Sequence, residues 1–138
     1  MTDALTTVFQ KLRSRNEPVP KPARLPTMSE LTSVVEGLGV VLHPDLERYF
    51  LEVSDVTVST YEPATVADPE SYTHLPKLIE SARACGVSDS LFPFCEDNAD
   101  FFCFNKEGEV EFWSHNGLVG EKWVNLAAWI EEVWLEEC

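Results

Sequence analysis

The sequence predicts a single compact α+β domain, with helices packed against an antiparallel or mixed sheet. Apolar residues recur at helical spacing through the first half of the chain. A phenylalanine-rich run of short strands then fills 91–115 (LFPFCEDNADFFCFNKEGEVEFWSH), and one more amphipathic helix follows. Helices and strands are thus segregated, without the regular alternation of βαβ units. At 138 residues, 44 % hydrophobic, with eight Phe, three Tyr and four Trp, the chain can bury about two thirds of its unfolded surface.

In chain order, Leu5, Val8, Phe9 and Leu12 form the stripe of a short first helix. Pro18, Pro20, Pro22 and Pro26 then forbid regular helix and favour an extended tether, so residues 1–26 read as a helix and Pro-rich arm, docked or mobile. The main domain is expected over 27–138. Thr27 with Glu30 makes a capping box for a helix carrying Leu31, Val34, Val35 and Leu38, closed by Gly37 and Gly39. Pro44 suits the first turn of the next helix, with Leu46, Tyr49, Phe50 and Val53 as its stripe. Val56–Tyr61 alternates loosely as a strand, stopped by Glu62-Pro63, and Asp68-Pro69 starts a turn. Leu75, Leu78, Ile79 and Ala82 make a further helical stripe, ended by Gly86.

The strand run follows. Phe101–Phe104 and Glu109–His115 flank the turn Asn105-Lys106-Glu107-Gly108, where Gly108 sits at the position that needs a positive φ. Alternation puts Val110, Phe112 and Ser114 on one face and Glu109, Glu111, Trp113 and His115 on the other. The second face reads as wet, and a Trp and a His among glutamates there suggest a contact surface. Burial of Trp113 under the last helix is the competing reading. Asn125 caps that helix, whose stripe is Leu126, Trp129, Ile130, Val133 and Trp134. Its end carries Glu131, Glu132, Glu136 and Glu137, the wrong sign for a helix C-terminus.

Charge is the strongest compositional signal: −14 overall, with 1–25 at +3 and the remainder at −17. Such a surface repels nucleic acid and phosphate-rich membranes and draws basic partners, though acidity also serves plain solubility. No segment approaches the ~20 apolar residues of a membrane span and the N-terminus lacks a signal-peptide core, so a cytoplasmic protein is expected. Cys85, Cys95, Cys103 and Cys138 show no metal-ligand spacing and read as reduced thiols.

Catalytic parts are missing. No GxSxG elbow or phosphate-cradling glycine loop occurs. Glu96, Asp97, Asp100 and His115 could be imagined as a hydrolytic or metal site, but acidic residues between strands are usually turn formers. A calcium loop starting at Asp97 fails, because Phe102 and Gly108 stand where it needs Gly and Glu. The expectation is no enzyme, no metal and no cofactor.

The series Glu36-Gly37-Leu38-Gly39, Leu42-His43-Pro44-Asp45-Leu46, Tyr49-Phe50, Leu91-Phe92-Pro93-Phe94, Glu96-Asp97-x-x-Asp100, Gly108-x-Val110 and Trp113-x-His115, with a final Leu-x-x-Trp-Ile helix, resembles the SUKH superfamily over about 27–136. Ser54-Asp55 replaces an Asn-Gly common in that family, and Asn98 and Ala99 replace glycines of the acidic turn. The resemblance implies a non-enzymatic protein-binding module. Most bacterial members look like immunity proteins that neutralise a cognate toxin, often a nuclease. Here the partner would be a basic toxin domain met through Glu96, Asp97, Asp100, Glu109, Glu111, Trp113 and His115. The alternative is an intracellular scaffold or regulator with no toxin partner. A monomer and a homodimer both suit the stripes, and neither nucleic acid nor membrane is expected as a partner.

Overall fold

A computed structural model of the chain describes residues 3–19, 24–58, 61–97, 99–114 and 117–137. The helices are α1 (Ala4–Ser14), α2 (Met28–Leu38), α3 (Pro44–Glu52), α4 (Leu75–Cys85) and α5 (Leu126–Trp129). The strands are β1 (Glu62–Pro63), β2 (Phe92–Asp97), β3 (Asp100–Phe104), β4 (Val110–Ser114) and β5 (Gly117–Trp123). Among the described residues the strands form an antiparallel sheet in the order β1-β2-β3-β4-β5. The α+β expectation holds.

Local chemistry accounts for the helix starts. Asp3 caps α1 through Thr6 N at 2.7 Å. Thr27 and Glu30 close the capping box of α2 in both directions, at 3.1 and 2.9 Å. The His43 ring accepts from Asp45 N ahead of Pro44, and Asn125 Oδ1 accepts from Ala128 N. Leu5, Val8, Phe9 and Leu12 of α1 are all buried in the same core as the rest, so this helix is docked.

The sheet has two covered faces. Phe102 and Phe112 pair across β3–β4, as do Phe104 and Val110, and this face packs on Trp129 of α5, 5.1 Å from Phe102. A bulge in β2 between Pro93 and Cys95 brings Phe94 to the same tryptophan, edge-on at 5.0 Å. α1 packs against both α5 and α3. The opposite face holds Phe101, Cys103 and Trp113, and α4 lies over it.

Three expectations are corrected. Val56–Val58 forms no strand, and the edge strand is Glu62–Pro63, the pair expected to end one. Proline has no N–H to give a ladder, which suits it to an edge such as β1. β5 was not expected at all. The final helix runs α-helical only to Trp129, then widens into a π turn (Ile130–Trp134) and tightens into a 3₁₀ turn (Leu135–Glu137). The wide turn lets Trp129 and Trp134, five residues apart, both bury, with ring centroids 6.1 Å apart.

Candidate functional site

The acidic residues singled out in the sequence divide between two ends of the sheet. At the β2–β3 turn, Glu96 is exposed while Asp97 and Asp100 are half-buried and face each other as the last pair of the ladder. Ala99, between them, sits at φ 71°, a left-handed conformation a side chain resists. Asn98 and His115 lie outside the described residues.

The β3–β4 turn is at the other end. Asn105 Nδ2 donates to Glu109 Oε1 at 2.9 Å and to Glu111 Oε2 at 2.7 Å, holding two carboxylates side by side. Its Oδ1 accepts from the backbone N–H groups of Glu107 and Glu109, so one asparagine builds the turn and aligns the acids. Lys122 Nζ lies 3.9 Å from Glu109 Oε1. Four strand residues at about 3.3 Å each separate the levels of Asp100 and Phe104, roughly 13 Å. The carboxylates therefore make two patches on one sheet rather than a single cluster.

Trp113 is not part of a wet face. It is 8 % exposed, its ring 6.0 Å from Phe101, and a Cβ added to Gly86 would meet it at 3.8 Å. Its cover is the end of α4, while the last helix packs on the opposite face. The hairpin side that alternation marks as wet is apolar beneath α4 and acidic only at its margins. Strand alternation shows which residues share a face; it does not show that a helix thirty residues upstream returns to cover it.

Sequence reasoning also passed over Glu121 and Trp123 of β5, because Gly120, Glu121 and Lys122 break the apolar pattern of a strand. The available signal was a tryptophan two residues beyond a glutamate, just ahead of the Asn125 cap.

Several of the basic side chains are engaged in ion pairs at the surface. Lys11 pairs with Glu131 at 3.0 Å and Arg13 with Asp55 at 2.8 Å, and Arg48 bridges Asp3 and Glu52. Arg15 Nη1 donates to the Leu135 carbonyl at 3.0 Å, so α1 supplies the cations that the acidic C-terminal turns lack. Arg24 and the Thr27 backbone hold the Glu30 carboxyl down to about 2. The Tyr72 hydroxyl donates to Glu62, which pushes it up to about 12. Burial raises the thiols of Cys95 and Cys103, the latter to about 12. Both are free and buried, with the muted reactivity of core cysteines. Among the described residues no group of three or more His, Cys, Asp and Glu is placed to hold a metal ion. None of the described helices is long and apolar enough to cross a membrane.

An α+β domain with a buried aromatic core and acidic strand turns is thus the class that fold and surface define. Residues 5–135 match the model of the SUKH_5 family, described as SMI1-KNR4 cell-wall, and the chain belongs to that family. It is similar to a protein from Pseudomonas syringae pv. tomato of known crystal structure, at 38 % identity and a TM-score of 0.90, over 94 % of this chain and 98 % of that one. No curated protein matches it.

Proposed function

We propose that this chain is a protein-binding module of the immunity type, which neutralises a basic toxin domain by covering it. The observation that carries the reading is the charge arrangement. A net charge of −14 coexists with basic residues of α1–α3 already held in intramolecular ion pairs, while Glu109 and Glu111 are locked side by side by Asn105. A preformed anionic surface speeds encounter with a cationic partner and costs little ordering on binding. Membership of the SUKH superfamily supports a non-catalytic role. The contact residues are the carboxylates of the two sheet ends, Glu96, Asp97, Asp100, Glu109 and Glu111, with Trp113 a buried support for them.

The test uses the toxic domain encoded by the neighbouring reading frame. Reversing Asp97 and Glu111 together to Lys should weaken its binding by at least about tenfold and make the remainder less sensitive to salt. Unchanged affinity, with the variant folded, would remove this surface. A neighbouring frame with no toxin, and no growth defect rescued by the protein, would favour the scaffold reading.

A further inference from the structure

Between the sheet and the last helical turns lies a notch of about 220 Å³ whose composition sets it apart from the acidic turns. Its floor is Phe102, only 4 % exposed. Around that ring stand Phe112 at 4.9 Å and 41°, Trp123 at 5.8 Å and 63°, and Tyr61 at 5.9 Å and 70°. Rings inclined to their common neighbour make a concave bowl rather than a stack. All three are half-buried, so aromatic surface remains open to solvent on a wall where strands and helix could have closed over it. Asp97, Glu121 and Val133 complete the lining, so two carboxylates share the notch with the rings.

Resting on the protein-binding reading above, we propose that this notch is a receptor for one arginine side chain of the partner. Ring faces and carboxylates are both attractive to a cation, and neither suits an anion or a neutral polar group. The guanidinium meets both requirements at once. It is planar and weakly hydrated, so it stacks on the rings while its N–H fork reaches the carboxylates, whereas a lysine ammonium is compact and strongly hydrated. The volume admits one such side chain rather than a helix or a strand. The position also links the two parts of the molecule: Asp97 belongs to the β2–β3 turn, and Glu121 and Trp123 to the edge strand β5, so a seated arginine would be gripped between the acidic turn and the open sheet edge.

The test needs no identified partner. The intact protein is titrated with the peptide acetyl-Gly-Arg-Gly-amide and with its citrulline counterpart, a neutral near-isostere, while the Trp123 indole and the Tyr61 and Phe112 ring resonances are followed by NMR. Saturable shifts confined to these rings at millimolar arginine peptide are expected, with the citrulline peptide, and the Glu121→Gln variant toward arginine, each about tenfold weaker. Glu121 is exposed, so that variant keeps the fold; Trp123→Leu, which removes a ring, should abolish the response. Equal response to citrulline, or no localised shift, overturns the assignment. That outcome would leave the protein-binding reading intact, since the reading is judged separately by toxin affinity.

Discussion

Gly108 shows how one backbone position ties two elements together. It sits at φ 83° in the β3–β4 turn, and a Cβ there would come within 2.7 Å of His43 Nε2. That ring cannot simply swing aside, because it stacks on Phe104 at 5.2 Å and accepts the N–H that starts α3. Gly108→Ala should therefore cost about 1–3 kcal/mol in urea unfolding, from backbone strain and the displaced ring. A loss under about 0.5 kcal/mol, the size of a neutral surface change, would show that the cap is not held as described. Ala99 is the converse case. It occupies a glycine conformation at φ 71° with a side chain, so Ala99→Gly should stabilise the fold by about 0.5–1 kcal/mol, the relief of the left-handed penalty less the extra freedom of the unfolded chain. The same unfolding measurement decides it, and a loss would mean that the turn gains from the methyl group.

At the scale of elements, the start of α2 couples stability to pH. Glu30 is held near 2 in the folded state against 4.5 for a free carboxyl, so its ionised form favours folding above 4.5. That contribution fades as pH falls through the folded value. Glu30→Gln retains the cap geometry but loses the charge facing Arg24. The difference in unfolding midpoint between wild type and variant should be greatest above pH 4.5 and shrink steadily toward pH 2. A difference that grows on acidification would contradict the ion pair. Elements governed by such near-neighbour chemistry are the ones legible in the sequence: the Thr27–Glu30 box, Pro44 at a helix start, the Asn125 cap and the Gly108 turn all stand as read. What was not legible depends on distant partners. β1 forms at Glu62–Pro63 because β2 offers an edge to it, and Trp113 is dry because α4, packed on β2, brings Gly86 at its end against the indole. β5 escaped notice because an edge strand tolerates the glycine and charges that break a strand pattern elsewhere. The acidic residues of the site were visible; their division into two ends, and the aromatic notch beside one of them, came from the sheet register.

For the whole molecule, the governing feature is how charge of each sign is placed. The sequence leaves the first helix open as docked or mobile; it docks, and Lys11 and Arg15 pair with and cap the acidic C-terminal turns. With these cations paired, exposed carboxylates remain on the sheet, among them Glu96 and Glu121, and on the helices, among them Glu36, Glu80 and Glu132. Under the proposed protein-binding function, an anionic surface on a SUKH-family domain would speed encounter with a cationic partner. The most direct measurement is the association rate constant with the proposed partner, a basic toxin domain, followed by stopped flow as salt rises from about 0.05 M to about 0.5 M. A fall of at least about tenfold is expected over that range, with Glu111→Lys slower than wild type at low salt and the two converging at high salt. A rate that ignores both salt and the charge reversal would contradict it.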